Sequence, residues 1–572
     1  MINERRTIRG DIMNYIVKQS DSDVIESILK NRKITNEQVD AWLGANSSHW
    51  EDPANYPNMK EAFECLMSHI KNHDDIYVIV DPDGDGVLSS GILINFIIKY
   101  LNHENIFYLI HPAKQHGIEN FMIDKCIEDK IKLLLVPDAA SNDIIQMKKL
   151  IEHGIDIIVT DHHEYDYTKI PKGAYVINNQ HPDVTNKYGS GTLVTYKFIF
   201  YVAEQLGIDL GYDYLTQCYT ANVTDMMSLN TDVLENRYIY KLGCLVENCN
   251  NKLIKSFLKD LKKKNKITVE DISFGMSPKI NSILRLGSVD EKEMLIESSI
   301  GLTDEEVKYT YKGKVKTQSI YDAVVRIGNR LKGTQKREVD KFINKGLEIL
   351  SGDDDRILII NGGDIKKELR GLLANKLLGI YQCPVLILSG NECLNGSARG
   401  IGDIDFKDMC SASGYVNYAE GHSNSFGIEI SRNNIENFIG YMNKRLIGLD
   451  LSNKTEIDFE YKNNIPLEDL LDIADLDDIW TFNCKRPKLL IRDIKINTND
   501  ITKKGIDMSF KIGNIIYRRD YCSRAFYEDL ICLEDNGFYN ADLSMDLIVE
   551  VKKTEKGFVY LNIVDYESSV IE

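Results

Sequence analysis

From Ile76 onward the chain alternates between two patterns. Short, almost unbroken apolar runs recur: IYVIV (76–80), IFYLI (106–110), KLLLV (132–136), IDIIV (155–159) and AYVIN (174–178). Between them lie longer stretches such as SSGILINFIIKYL and NDIIQMKKLIEHG, whose apolar positions return at helical spacing. Strands without polar alternation are buried on both faces, and strands alternating with helices make a parallel sheet covered on both sides. The pattern therefore predicts an α/β domain over 71–310. Ahead of it, DSDVIESILKNR and PNMKEAFECLMSHI predict a polar helical lead-in over 1–70. Residues 311–350 read as a basic linking helix. RILIING (356–362), KKELRGLLANKLLGIY and PVLILSG (384–390) repeat the strand–helix–strand rhythm, giving a second α/β domain over 351–450. Across 455–572, LLIRDIKI, GIDMSFKIGNIIYRR, SMDLIVEVKK and FVYLNIVDY predict antiparallel strands in a small β domain.

Composition agrees with several globular units. The chain has 572 residues, 43% hydrophobic and 27% charged, which excludes collagen, coiled coil and wholesale disorder. Its formal net charge of −18 argues, taken as a whole, against a chain coated in anionic polymer or lipid. The eleven cysteines are scattered without a Cys-x-x-Cys pair, as expected of reduced thiols in a cytoplasmic protein. No leader-like segment and no run of membrane-spanning length is visible, so the expectation is a soluble protein.

The chemistry collects where parallel strands end, the place where such sheets bind ligands. After IYVIV comes Asp81-Pro82-Asp83-Gly84-Asp85-Gly86; after KLLLVP comes Asp138; after IDIIVT come Asp161-His162-His163. A further carboxylate, Asp225, closes the otherwise uncharged stretch Ala221-Asn222-Val223-Thr224. Taken singly, an aspartate at a strand end is a helix cap or a turn residue. The coincidence at one rim is what matters. Clustered carboxylates raise one another's pKa, and divalent cations are the simplest compensation. An Asp/His shell without thiolate suits Mn²⁺ or Mg²⁺ better than Zn²⁺, and five or six such ligands suffice for two ions.

The ordered set DPDGDG, a lone Asp after a strand, DHH and Asp225 resembles the four motifs of the DHH phosphoesterase superfamily. Three further segments are similar to its RecJ branch: Asp225-Met226-Met227 followed by Glu235-Asn236-Arg237, Phe274-Gly275-Met276 followed by Pro278, Asn281 and Arg285, and Tyr188-Gly189-Ser190-Gly191. Gly396-Ser397-Ala398-Arg399 and Gly421-His422 look like the phosphate-binding motifs of the DHH-associated second domain, and the last region looks like an added OB-fold. The resemblance implies a 5′→3′ exonuclease that degrades single-stranded DNA to mononucleotides. It implies two divalent ions, Mn²⁺ preferred and Mg²⁺ possible, held by Asp81, Asp83, Asp85, Asp138, His162 and Asp225, with Asp138 between them. It also implies catalytic support from His163 and Asp161, and phosphate or DNA contacts from Arg285, Ser397, Arg399, His422, Lys114 and Asn281. No other cofactor is implied. Departures from the pattern are Pro82, Ala139-Ala140 after Asp138, Asn178-Asn179, Leu284 before Arg285 and Glu420 before Gly421.

Local charge qualifies the acidic total. Residues 311–345 carry ten Lys/Arg against three Asp/Glu, and 485–524 carry eleven against four, with Tyr517 and Tyr521 interleaved. Such basic segments with aromatics are suited to holding single strands without sequence readout. The implied setting is DNA recombination and repair or phage DNA metabolism, as a monomer, with a single-strand-binding protein or a helicase as partners. Three other readings share the site: an oligoribonuclease or small-nucleotide phosphodiesterase, an RNA-directed exonuclease, and an inactive replication scaffold that keeps the fold.

Overall fold

The apolar runs at 76–178 form one sheet. The structure, a computed structural model, describes residues 15–18, 23–112, 115–311, 314–352, 355–402, 404–449, 451, 454–505, 507–520, 522–532 and 540–571. We label the strands of the first sheet β1 (Ile76–Val80), β2 (Ile106–Ile110), β3 (Leu133–Pro137), β4 (Asp156–Asp161) and β5 (Ala174–Asn178). They pair in the order β2-β1-β3-β4-β5, all parallel. Alternate residues of each strand enter different cores. Val78, Val80, Leu133, Leu135 and Ile158 pack with the helices on one side. Ile79, Leu134, Val136, Ile157 and Val159 pack with Met122, Ile123 and Met147 on the other. Burial on both faces is why these strands read as continuous apolar runs.

Three helices bring their ends to the carboxyl rim of this sheet. Helix α1 (Gly84–Leu101) follows β1 directly, and α2 (Gly191–Leu206) and α3 (Leu215–Thr224) lie beside it. Helix α4 (Ser277–Leu286) then leads through a hairpin, Glu306–Tyr311 with Lys314–Ser319, into the 26-residue α5 (Ile320–Lys345). The helix expected from residue 311 thus starts at Ile320. Val307, Tyr309, Val315 and Thr317 alternate with lysines, a strand-like pattern, and Ser319 caps α5 by accepting from Asp322.

The second sheet has the order Val416–His422, Ser425–Ser431, Cys393–Arg399, Val385–Ser389, Leu358–Asn361, with the last two strands parallel and the other pairs antiparallel. Among the described residues the third sheet has seven strands, more than the five of an OB-fold. It is mainly antiparallel, but two of its pairings are parallel: Phe459–Lys462 with Leu489–Asn497, and Ile515–Arg519 with Val559–Val570. Its core also takes in Val24, Ile28, Leu29, Val39 and Trp42 from the leading helices. Strand Tyr15–Val17 pairs in parallel with Thr455–Ile457. The helical lead-in is therefore divided: its first two helices complete the last β region, and Met59–Asn72 packs on the first sheet. Among the described residues, no helix is long and apolar enough to cross a membrane, and all eleven cysteines are unpaired.

Candidate active site

The rim is built by close approach of backbone to carboxylate. Asp83 caps α1, its Oδ1 accepting from Gly86 N–H at 2.9 Å. A side chain on Gly86 would put its Cβ 2.5 Å from the Asp81 carbonyl oxygen, so glycine lets α1 start hard against β1. Asp85 lies within the first turn of α1 and is buried. Its carboxylate accepts from Gly191 N–H (2.7 Å), Thr192 N–H (2.9 Å) and the Thr192 hydroxyl (2.5 Å). It thus closes the amino end of α2, where free N–H groups and the helix dipole favour an anion.

Asp138 follows β3 in a left-handed conformation, φ 65°, with its N–H donating to Thr160 O at 2.8 Å. A Cβ on Gly191 would stand 2.2 Å from Asp138 Oδ1, so this glycine reserves the space the carboxylate occupies. His162 Nε2 lies 3.3 Å from Asp138 Oδ1, 3.4 Å from Asp225 Oδ2 and 3.9 Å from Asp85 Oδ2. Asp225 caps the carboxyl end of α3. Beside this group, Asp81 Oδ2 is 2.6 Å from His116 Nδ1, and Asp81, Asp83 and His116 form an adjoining set of possible ligands.

Asp161 and His163 work differently. Asp161 Oδ1 accepts from the backbone N–H groups of His162 (2.7 Å) and His163 (3.2 Å) and contacts His163 Nδ1 at 2.8 Å; Oδ2 accepts from Ser141 N–H at 3.1 Å. Asp161 therefore shapes the loop that carries the histidines, while the His163 side chain is 58% exposed at the rim. Burial acts to raise Asp161, but the bond with His163 and the nearby histidine charges prevail and hold it below the usual carboxylate range. The same bond raises His163 to about 9.

The inner carboxylates show the opposite effect. Burial, followed by the charges of Asp85, Asp83, Asp81 and Asp225, pushes Asp138 well above its ordinary value. Burial, then Asp85 and Asp83, raises Asp225 to about 8. Burial also raises Asp81, against the hydrogen bond with His116. Asp138 Oδ1 is buried without a hydrogen-bond partner. A crowd of carboxylates that resist ionisation, one with an unmatched oxygen facing an imidazole nitrogen, fits divalent cations with oxygen and nitrogen ligands.

A second cationic group stands beyond Asp83. Arg285 is in the last turn of α4, where burial lowers its pKa and the charge of Asp83 opposes that. Arg399, on the second sheet, is lowered to about 10 by burial and then by the charge of Arg285. One guanidinium from a helix and one from the second sheet thus repel each other, and an anion between them relieves both. Ser397 and Arg399 share a face of their strand, and His422 lies on the same face through the register Arg399–Ser425–His422. Asn281 precedes Arg285 by one helical turn on α4.

A family model described as the DHH family, N-terminal domain, matches residues 75–222. YorK of Bacillus subtilis strain 168, named as an SPbeta prophage-derived single-strand DNA-specific exonuclease, is 31% identical over 96% of this chain and 96% of its own length. The chain is a RecJ-like member of the DHH family. The Bacillus subtilis single-stranded-DNA-specific exonuclease RecJ is 22% identical over 82% of this chain and 58% of its length. The crystal structure of Thermus thermophilus RecJ in complex with Mn²⁺ has the same fold, with a TM-score of 0.69 and 16% identity over 97% of this chain and 79% of that one. DHH membership makes the chain a metal-dependent hydrolase.

In this RecJ-like chain the structure brings Asp85, Asp138, His162 and Asp225 to one point, and Asp81 and Asp83 to its edge. His116 was missed from sequence. It lies in the loop after β2, which leaves the sheet at the same carboxyl rim, and position alone would have flagged it. Lys114 and Tyr521 lie outside the described residues. Tyr517 does not offer a stacking surface. It is fully buried, stacked on Phe510 at 5.0 Å, with its hydroxyl donating to Asn464 Oδ1 at 2.6 Å. Alternation along Ile515–Arg519 points it inward. The nearby arginines are also engaged: Arg486 pairs with Glu270 and Asp477, Arg492 with Glu460 and Asp546, and Arg518 with Asp507 and Asp520.

Proposed function

We propose that the chain is a 5′→3′ exonuclease that removes mononucleotides from single-stranded DNA with the help of two divalent cations. The carrying observation is the pairing of two features: the Asp138–His162–Asp225 cluster, and Arg285, which feels the charge of Asp83 on one side and of Arg399 on the other. The names of the relatives YorK and RecJ support the same substrate.

Asp81, Asp83, Asp85, Asp138, His162 and Asp225 would hold the cations, Mn²⁺ in preference to Mg²⁺, with Asp138 shared. When bound, the cations neutralise charge on the phosphate and make water a better nucleophile. The chain's own groups do the rest. Asp161 fixes the loop of His162 and His163 through backbone bonds, and His163 presents an exposed imidazole to the phosphodiester. Arg285 and Arg399, with Ser397, receive a terminal 5′ phosphate in charge-assisted hydrogen bonds, which sets the direction of digestion. His422 and Asn281 line the path of the strand. The setting we propose is DNA recombination, repair or phage DNA metabolism, acting as a monomer and with a single-strand-binding protein or helicase supplying substrate. A prophage-derived relative supports the phage setting.

The test is digestion of single-stranded DNA labelled at either end, with Mn²⁺ or Mg²⁺. Immediate release of labelled mononucleotide from the 5′ label, with a 3′ label shortening gradually, is expected. Release from the 3′ label first, or hydrolysis of dinucleotides but not of long strands, would overturn the proposal.

A further inference from the structure

At the end of the first sheet opposite the catalytic rim, four side chains from three segments converge. Cys65 and His69 stand one helical turn apart on Met59–Asn72 and so share a face. Asp156 is the first residue of β4, whose last residue is Asp161. At roughly 3.3 Å per residue, these two ends of the strand are about 16 Å apart. Asp74 lies in the turn after the helix, with Oδ2 2.8 Å from His69 Nδ1. On its other side, His69 Nε2 is 3.1 Å from Asp156 Oδ2. The ligand atoms of Cys65, His69 and Asp156 all lie within 4.8 Å of one another.

We propose that Cys65, His69 and Asp156 form a zinc site, with Asp74 orienting the histidine. In a neutral imidazole one nitrogen donates and the other accepts. With Nδ1–H given to Asp74, the Nε2 lone pair points at a carboxylate oxygen, an unfavourable meeting that a shared cation resolves. A carboxylate behind a ligating histidine is the usual means of fixing its tautomer. Two ligands each about 2.0–2.1 Å from zinc and roughly 100–110° apart are about 3.1–3.4 Å from one another, which the His69–Asp156 separation matches. Zinc takes cysteine as the thiolate, so binding releases the Cys65 proton and joins thiolate, imidazole and carboxylate to one ion. Thiolate and imidazole select zinc over Mg²⁺ or Mn²⁺, so this site differs in kind from the catalytic one. Asp156 remains 48% exposed, which leaves a way in for the ion and a water as fourth ligand.

The test uses the full chain, stripped with a chelator and kept reduced, then titrated with Co²⁺ as a spectroscopic substitute for zinc. Oxygen and nitrogen ligands at the catalytic rim can take Co²⁺ but give no thiolate-to-metal charge-transfer band. We expect such a band in the wild type, saturating with one ion and displaced by Zn²⁺. Cys65→Ser and His69→Gln should abolish it, and Asp74→Asn should weaken the titration about 10- to 100-fold. A wild-type protein without the band, or a band that survives Cys65→Ser, overturns the site and leaves His69 as a hydrogen-bonded bridge between two carboxylates. A measurement on the wild type alone decides the case if the variants fold poorly. Zn²⁺ should protect the Cys65 peptide from alkylation, and equal labelling with and without Zn²⁺ contradicts the proposal.

Discussion

Replacing Gly191 by alanine puts a methyl group where the Asp138 carboxylate stands. The added Cβ would lie 2.2 Å from Asp138 Oδ1 and 2.7 Å from both Cβ and Cγ. Ordinary contacts are nearer 3.4 Å, so the carboxylate or the start of α2 must yield by about 1 Å. Asp138 has little freedom to do so, being buried and tied by its N–H to Thr160 at 2.8 Å. The stability cost is limited. Overpacking costs about 1–3 kcal/mol, and alanine in place of glycine in a helix returns up to about 1 kcal/mol, leaving a net loss of about 0–3 kcal/mol. The cost to chemistry is larger, because a misplacement of about 1 Å at a reacting centre costs about 100-fold. Gly191→Ala should therefore remain folded, with a melting temperature only a few degrees lower, yet digest single-stranded DNA about 100-fold more slowly at saturating Mn²⁺. Thermal unfolding and end-labelled digestion on the same preparation separate the two effects. Activity above about a tenth of wild type would refute the claim that Asp138 must stay where Gly191 leaves room for it.

Other outcomes follow from the same geometry. Arg285→Ala should remove hydrogen bonds to a charged group worth about 1.5–3 kcal/mol. Preference for a 5′-phosphorylated over a 5′-hydroxyl end should fall about 10- to 100-fold, and unchanged discrimination contradicts the phosphate role. In chelator-treated protein, Asp225 and Asp138 have folded pKa values above their unfolded ones, so the folded state holds more protons between the ordinary carboxylate range and about pH 8. Stability should fall as pH rises through that window, and the gain in melting temperature on adding Mn²⁺ should be larger near pH 8 than near pH 6. A pH-independent gain would show that these carboxylates do not hold the cation. Trp42→Ala should destabilise the third core by about 3–5 kcal/mol, since the ring is 5% exposed and its N–H donates to Thr231 O at 3.2 Å. A loss under about 1 kcal/mol in denaturant unfolding would mean the leading helices are not part of that core.

The first sheet was legible in the sequence because both of its faces are covered. IYVIV, IFYLI and AYVIN match β1, β2 and β5 residue for residue, and the other two runs are off by one or two positions. The positions of Asp81, Asp138 and Asp161 at the rim were legible for the same reason, since each follows such a run directly, whereas Asp225 ends a helix. What could not be read was long-range. His116 reaches Asp81 across 35 residues, and no local pattern marks that meeting. The hairpin before α5 was hidden by its lysines, which mimic a solvated helix face. Tyr517 was placed at the surface by its basic neighbours, although the strand period turns it inward. Most of all, nothing in DSDVIESILKNR says that its apolar face belongs with strands beginning near Leu489.

That last arrangement has a consequence for how the protein is made. Val24, Ile28, Leu29 and Trp42 leave the ribosome roughly 450 residues ahead of the strands that shelter them, about 20–90 s at ordinary elongation rates. The first sheet can close while translation continues, but the third body must wait for the final strand, Val559–Val570, to be released. Its leading helices spend that interval without the strands that later cover their apolar face.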